Sequence, residues 1–521
     1  MTEAADRVFT NAAVHTLTEP DEEHEAVAVR DGEIVRLDRD DEIRFLEGVE
    51  TEVIDCAGRV VLPGFIDAHT HIENAGRFLV HADLSDATGS EECLDRLSER
   101  ASETDDEWIQ GFGYDESDWE ETDRGYLTRT HLDRVSTDRP VVALRIDMHA
   151  ASLNSVALER LADDISEDDL RRSDVTGEPT GVVVEDAAEL VRSRIAPGYD
   201  ETRELVTAGL EYAARKGVTT VHDMVRHSRS PRIYRELEAA DELPARVRVN
   251  YWTDHADSAI EVGLVTNTGG ERVETGAIKT YTDGSIGART AKLSEPYEPA
   301  DESESDSDGE WVVTPNDLRD IVEKADDGGF QVAVHAIGDE AVEAALSALE
   351  ATANPACSRH RIEHAELATD DQLERMADAG IVASMQPNFH RWADDGGLYD
   401  QRLGTSRRRR TNRFRRLAET GVSLAFGSDC MPLDPLFGVH HAVTAPTHAQ
   451  RLSVTEALRA YTIGGAYAGF DDNRLGTLEV GKRADLVVLE ESPWDRPDRI
   501  DGIDVAMTVV DGEIVFDGAT A

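Results

Sequence analysis

Two histidines separated by one residue end the apolar segment "VVLPGFIDAHTH" (residues 60–71). In a β-strand the side chains alternate between faces, so His69 and His71 would point to the same side. Two imidazoles on one face suit a divalent cation such as Zn²⁺. The His-x-His spacing alone is a weak signal, and the apolar strand with its Pro-Gly entry makes a metal site the stronger interpretation.

Three other apolar segments also end in a polar residue. "FQVAVHAIGDE" carries His335, "RIEHAE" carries His364, and "VSLAFGSDCMPLDP" carries Asp429. Each has an alternative interpretation, because a strand-end histidine is often a hydrogen-bonded core residue and Gly-Ser-Asp can cap a helix. Taken together, ligand-type residues at the ends of four separate strands predict one shared metal site.

A lysine occupies a segment with the composition of a buried strand. "GAIKTYTDGS" (residues 276–285) places Lys279 between Ile278 and Thr280, in a chain with only five lysines and 48 arginines. Burial of an ammonium group is costly and lowers its pKa, which favours the neutral, nucleophilic amine. The alternative is an ion pair between Lys279 and an acid such as Asp283.

Apolar strand-like segments alternate with helical patterns along most of the chain, which is typical of a (β/α)8 barrel. Barrel enzymes place their sites at the C-terminal ends of the strands, where the polar residues above fall. The candidate strands are residues 61–67, 141–146, 218–223, 246–251, 276–282, 330–335, 360–364, 381–385 and 422–428. Nine is one too many, so we assign 141–146 to an insertion of residues 75–210 within a barrel domain of residues 59–475.

Two similar segments lie near opposite ends of the chain. Residues 27–35, "VAVRDGEIV", and 507–515, "MTVVDGEIV", each consist of two apolar strands joined by an Asp-Gly turn, a strong hairpin signal. They predict one small β-sandwich built from residues 1–58 and 476–521. The alternative is that two common turns coincide.

The composition restricts the classes of partner. With 53 basic and 107 acidic residues the formal charge is −54, which disfavours nucleic acid and anionic membranes. Abundant acids with scarce lysine are typical of a halophilic protein, whose charges salt would screen. Four cysteines without metal-site spacing, no apolar leader and no long apolar run predict a soluble, cytoplasmic protein.

The order of these motifs resembles that of the amidohydrolase superfamily. Their sequences resemble those of its YtcJ-like (amidohydrolase family 3) branch. The matching segments are "LPGFIDAHTH", "GFGYDESDW", "IKTYTDGSIGARTA", "VHAIGDEA", "RIEHAE" and "AFGSDCMPLDP". The resemblance implies two divalent metal ions, with Zn²⁺ expected, and a carbamylated Lys279 that bridges them. The metal ligands would be His69, His71, Lys279, His335, His364 and Asp429.

The resemblance also implies the reaction and the residues around it. Metal-activated water would cleave an amide, formamide or cyclic C–N bond of a small-molecule substrate, with Asp429 as general acid and base. Tyr114 and Arg289 lie in matching motifs and are candidates for substrate contacts, with a structural role as the alternative. His222 ends another strand outside the ligand pattern, where it would either face the substrate or support the ligands from behind. Alternatives are a mononuclear deaminase with unmodified Lys279, or a non-catalytic regulatory relative. Oligomeric state stays open, with a homodimer as one alternative.

Seven arginines fall within the segment "SRRRRTNRFRR" (residues 406–416). Given the acidic chain, we interpret residues 407–416 as a helix after the seventh strand that pairs with acidic neighbours or meets another subunit. A second hypothesis is that Arg408, near the barrel mouth, binds a substrate carboxylate.

Overall fold

The computed structural model describes residues 3–116, 119, 124–146, 148–173, 175–299 and 307–519. The chain forms two compact units. One contains the residues up to His71 and from Leu210 onward, and the other is Ile72–Gly209. The predicted insertion, residues 75–210, therefore falls almost entirely within the second unit.

The larger unit contains a sheet of eight parallel strands that follow one another in chain order. The strands are β1 (Phe65–Thr70), β2 (Val218–Val225), β3 (Arg246–Trp252), β4 (Val273–Tyr281), β5 (Val332–Ala336), β6 (Arg361–His364), β7 (Val382–Met385) and β8 (Leu424–Phe426). The first and last strands meet where the Ser428 N–H donates to Asp67 at 2.9 Å. The sheet is thus a nearly closed barrel, which confirms the predicted fold class.

The first predicted strand, residues 61–67, is in fact two strands. Val60–Pro63 pairs with a sandwich strand, whereas β1 belongs to the barrel. Gly64 separates them, and a Cβ at this position would lie 2.3 Å from the Cγ2 atom of Thr219. Only glycine allows this close approach, so the chain passes between the sheets here and the sandwich extends beyond the predicted boundary at residue 58.

Both ends of the chain contribute to the β-sandwich. A four-stranded sheet contains Arg7–Thr10, Ala26–Arg30, Glu33–Asp38 and Glu52–Asp55; a six-stranded sheet contains Ala13–His15, Glu23–His24, Val60–Pro63, Leu486–Leu489, Val505–Val510 and Glu513–Asp517. Buried apolar side chains of both sheets, including Phe9, Val29, Leu486 and Val509, form a common core. The two predicted hairpins are therefore confirmed, one in each sheet.

The second unit, Ile72–Gly209, has its own mixed sheet. Its strands are Ala82–Asp83, Ile109–Tyr114, Val141–Arg145, Ala150–Leu153, Leu170–Arg172 and Pro179–Val184. Val141–Arg145 is the surplus strand of the sequence prediction, and it pairs with Ile109–Tyr114 and Ala150–Leu153 of this unit. Apolar clusters around Trp119 and Val183 form the core of the unit.

Helices connect the strands. The α-helices are Asp40–Ile43, Ile72–Val80, Ser90–Glu103, Arg129–Leu132, Ser155–Leu161, Asp186–Arg194, Tyr199–Arg215, Ser230–Ala239, Ala256–Glu261, Pro315–Asp327, Asp339–Glu350, Pro355–Ser358, Asp370–Ala379, Leu398–Arg408, Phe414–Thr420, Pro435–Thr444, Val454–Arg459 and Gly465–Ala468. Among the residues described above, none of these helices has the length and apolar character needed to cross a bilayer.

Candidate metal centre

The two histidines of the first barrel strand face one carboxylate. His69 is buried in β1, and His71 follows directly after the strand. Their Nε2 atoms lie 3.7 Å and 3.3 Å from Oδ1 of Asp429. Each Nδ1 atom has another partner, since Glu363 lies 2.5 Å from that of His69 and the Met224 carbonyl lies 3.0 Å from that of His71. Both rings thus present Nε2 to the same point.

The other two predicted histidines continue this row of rings. The His364 ring centroid is 4.9 Å from that of His69 and 4.5 Å from that of His335. The Nδ1 atom of His364 lies 2.5 Å from Oε1 of Gln386. The Nε2 atom of His335 lies 3.0 Å from the Gly284 carbonyl oxygen. The structure therefore brings all four predicted histidines together at the C-terminal ends of β1, β5 and β6.

Asp429 lies in a tight loop after β8. Its φ of 52° is in the left-handed region, which aspartate tolerates better than most residues. Its backbone N–H donates to the His69 carbonyl at 2.7 Å. At Gly427, two residues earlier, a Cβ would lie 2.4 Å from the backbone nitrogen of His69, so glycine is required for this approach. The loop and β1 together fix the carboxylate against the histidine rings.

The electrostatic environment favours the metal-binding protonation states of His69, His364 and Asp429. At His71 burial alone would lower the pKa, but the hydrogen bond with Asp429 and its charge outweigh burial and raise it. Burial lowers the pKa of His69 to about 4 and that of His364 to about 3, so both rings are neutral near pH 7. Burial alone would raise the pKa of Asp429, but the hydrogen bond from His71 and the other nearby imidazoles hold it well below its usual value. Neutral imidazoles and an ionised carboxylate are the forms that bind metal.

These donors fit the metal that the motifs imply. One ligand atom each from His69, His364 and Asp429 lies within 4.8 Å of the other two. The set is nitrogen and oxygen only, and its histidines are held from behind by Glu363 and Gln386, as is usual for metal-ligating imidazoles. Such a set suits Zn²⁺ and similar divalent ions.

Lys279 extends from β4 into the same interior and is 2% exposed. Its Nζ atom lies 5.3 Å from the centre of the Trp252 ring and 5.7 Å from that of Tyr281. Burial lowers its pKa to about 8. Within the part of the chain that the structure describes, no carboxylate lies within ion-pair distance of this amine. The alternative of a pair with Asp283 is therefore wrong, and Asp283 instead accepts backbone N–H groups, including that of Gly338 at 2.9 Å.

The predicted substrate contacts have a different outcome. Tyr114 is buried in the core of the second unit, and its hydroxyl lies 2.9 Å from Ser152 Oγ. Of the two roles predicted for His222, the geometry disfavours the substrate-facing one, because the ring is fully buried and lies 3.0 Å from Nη1 of Arg361. Arg289 is partly buried in the loop after β4, and its contact with substrate stays a prediction.

Two charged residues inside the barrel, Arg361 and Glu363, were not among the predicted site residues. They alternate in β6 and are both fully buried. Charged residues two apart in a core strand are rare unless they pair. The spacing of Arg361 and Glu363 in the sequence could therefore have indicated a buried ion pair.

The arginine segment, residues 407–416, is not a single helix, because it runs from the end of Leu398–Arg408 through a turn to the start of Phe414–Thr420. Its side chains pair with acidic neighbours, as one of the two hypotheses predicted. Arg413 and Arg416 contact Asp370, and Arg415 contacts Glu456. Arg408 is 3% exposed; it lies 3.1 Å from Asp400, also pairs with Asp395, and donates to the Ala393 carbonyl. The hypothesis that Arg408 binds a substrate carboxylate is wrong, because the guanidinium is buried and already paired.

Arg408→Glu is accordingly expected to destabilise the fold. The change places an anion in a buried position that faces two aspartates, and it should lower the free energy of unfolding by about 3 kcal/mol or more. Urea denaturation would measure this loss. Arg409→Glu, at a neighbouring exposed arginine, is the control and should change stability little. An Arg408→Glu protein as stable as wild type would contradict the assignment.

Proteins similar to this chain in sequence and fold include a formamide deformylase and a metal-dependent hydrolase. The profile described as "Amidohydrolase family" matches residues 52–516. The chain is 32% identical to YtcJ of Bacillus subtilis over 98% of this chain and 99% of that one, and 27% identical to the N-substituted formamide deformylase of Arthrobacter pascens over 99% of both. An uncharacterised metal-dependent hydrolase from Pyrococcus furiosus superimposes with a TM-score of 0.79 at 30% identity, over 94% of this chain and 99% of that chain. With its barrel, its histidine row and this match over most of its length, the chain belongs to the amidohydrolase family.

Proposed function

We propose that this amidohydrolase cleaves a C–N bond in a small molecule, namely an amide, a formamide or a cyclic amide. The observation that carries the proposal is the convergence of His69, His364 and Asp429 at the C-terminal ends of the barrel strands. The likeness to a formamide deformylase over nearly the whole chain supports this substrate class.

The metal ligands would divide between two ions. His69 and His71 would hold one ion, His335 and His364 the other, and a carbamylated Lys279 would lie between them, with Asp429 as a further ligand. When bound, such ions polarise a carbonyl group and lower the pKa of water, so that hydrolysis proceeds at neutral pH. The buried, neutral imidazoles support this division.

Asp429 would carry the proton during hydrolysis. Its carboxylate is ionised and lies at the point that His69 and His71 face. It would accept a proton from the attacking water and deliver it to the leaving nitrogen, so that one group acts as base and then as acid. The loop after β8 holds the backbone of Asp429 against β1, beside the histidines.

Lys279 would react with CO2. The neutral amine attacks the carbon of CO2, a new N–C bond forms, and one N–H proton leaves to solvent, which gives a carbamate anion. The lowered pKa of the buried amine favours the neutral form that this step needs. Two cations on either side would offset the cost of burying the anion.

A panel of N-formyl, N-acyl and cyclic-amide compounds, with elemental analysis of the purified protein, tests the function. We expect hydrolysis of at least one class and about two divalent ions per chain. One ion per chain with release of ammonia would favour a mononuclear deaminase. No bound metal and no turnover would favour the non-catalytic alternative.

We also infer that the protein functions in the cytoplasm of a halophilic organism, where the salt concentration is high. The formal charge of −54 supports this inference, since self-repulsion weakens as salt screens it. Unfolding midpoints that rise with KCl from about 0.1 M to about 2 M would agree with it. Sedimentation in the same buffers would show whether the protein is a homodimer.

A further inference from the structure

A chain of three buried polar residues lies behind His69 and has no role in the mechanism above. Its members are Glu363 and Arg361 on β6 and His222 on β2. Each is 0% exposed. Charged groups this deep require a full set of partners, and the pattern of those partners indicates their purpose.

The first contact fixes the position of one hydrogen on His69. Its Nδ1 atom lies 2.5 Å from Oε2 of Glu363. An ionised carboxylate can only accept hydrogen bonds, so the hydrogen must be on Nδ1 and the lone pair on Nε2. That lone pair faces Asp429, which is 3.7 Å away. Without Glu363, nothing in this contact would prefer the metal-binding tautomer over the opposite one.

The second contact holds Glu363 in place. The Nε atom of Arg361 donates to Oε1 of Glu363 at 2.7 Å, and Nη2 donates to Oε2 at 3.1 Å. Nη2 also donates to the Ala68 carbonyl oxygen at 2.5 Å and to Ser384 at 2.9 Å. Ala68 is in β1 and Ser384 is in β7, so one guanidinium fixes Glu363 relative to the strand that carries His69.

The third contact gives Arg361 a partner on β2, His222. Nη1 lies 3.0 Å from Nδ1 of His222. Arginine has only donors, so His222 accepts at Nδ1 and carries its hydrogen on Nε2. Burial and the neighbouring guanidinium groups keep this ring neutral by lowering its pKa. His222 thus supports Arg361 from β2, which explains why a histidine in a barrel strand lies apart from the metal ligands.

We propose that Glu363 is a positioning residue that fixes the Nδ1–H tautomer of His69, and that Arg361 and His222 hold it in that role. The consequence for metal affinity depends on the proposed function, since it assumes that His69 binds the metal through Nε2. The tautomer itself is a property of the metal-free protein and can be measured separately.

Glu363→Gln tests the proposal, with zinc alone as the probe. The glutamine has nearly the same shape but carries no charge, and its amide can present a donor to Nδ1. We expect zinc affinity, measured by chelator competition without substrate, to fall by about 10- to 100-fold. In ¹⁵N NMR of the metal-free protein, His69 should lose its uniform Nδ1–H state.

Glu366→Gln is the matched control. Glu366 is 2% exposed and lies three residues further along, but among the described residues its carboxylate accepts hydrogen bonds from Tyr399 and Asn412 and from no histidine. Its zinc affinity and the His69 spectrum should stay as in wild type. Equal losses in both variants would show a general effect of buried charge and would overturn the proposal.

A second variant covers failure of Glu363→Gln to fold. In Arg361→Met/Glu363→Gln neither buried charge is left unpaired, so the fold should return while zinc affinity stays weak. Wild-type zinc affinity in this variant, or a wild-type spectrum with the hydrogen on Nε2 of His69, would refute the role of Glu363. Absence of zinc binding by wild type would instead refute the proposed function, and the spectrum would still decide the tautomer.

Discussion

Asp429→Asn is expected to lower kcat by about 10²- to 10⁴-fold, the range that a general acid–base group contributes. Asparagine has the same shape and tolerates the left-handed φ of 52° at this position, so the loop and its backbone contact with His69 should persist. What disappears is the basic oxygen between His69 and His71. Turnover should therefore fall while bound metal, held by the other ligands, stays close to the wild-type content.

Asp434→Asn provides the control for this variant. Asp434 lies in the same loop, where it caps the helix Pro435–Thr444 and pairs with Lys216 at 2.6 Å. Asparagine is also a good N-cap, so kcat should change little there. Steady-state rates with parallel metal analysis measure both proteins. Normal turnover in Asp429→Asn would remove Asp429 from the chemistry.

The barrel was predictable because its signals are local and repeated. Most of the eight strands are short segments rich in apolar residues, and six of the predicted segments overlap a barrel strand within about two residues at each end. Of the two exceptions, residues 61–67 show best why a boundary can be missed. One continuous apolar segment serves two sheets, and the break at Gly64 depends on the approach of Thr219, which is more than 150 positions away.

The proposed metal ligands could be predicted from the sequence, but the residues that hold these ligands in place could not. Simple alternation in β6 would point Arg361 and Glu363 inward and His364 outward. His364 reaches the site because its φ is 73°, a left-handed turn at the strand end. Its partner Gln386 follows the neighbouring strand β7, and the carboxylate of Glu363 reaches His69 from a strand that does not pair with β1. Such contacts depend on how the strands meet, which one sequence without its structure does not reveal.

Lys279→Met is expected to remove one of the two metal ions and to lower hydrolysis by about 10²-fold or more, since a two-metal site acts as a unit. Methionine is one atom shorter than lysine but is unbranched, flexible and apolar, so it can fill most of the buried space beside Trp252 and Tyr281 and the fold should remain. The carbamate alone would be lost. Metal content, kcat and a ¹³C NMR signal after labelling with ¹³C-bicarbonate measure the three consequences.

Lys292→Met is the control that shows whether replacing another lysine also lowers metal content and hydrolysis. Lys292 pairs with Asp308 at 2.7 Å and carries no proposed modification. It should keep metal content, rate and the labelled signal, because its amine pairs with Asp308 and with none of the proposed metal ligands among the described residues. Two ions per chain in Lys279→Met, or a labelled signal that survives there, would exclude the carbamate. One ion in both wild type and Lys279→Met, with equal rates, would leave Lys279 as a buried amine beside a single-metal site.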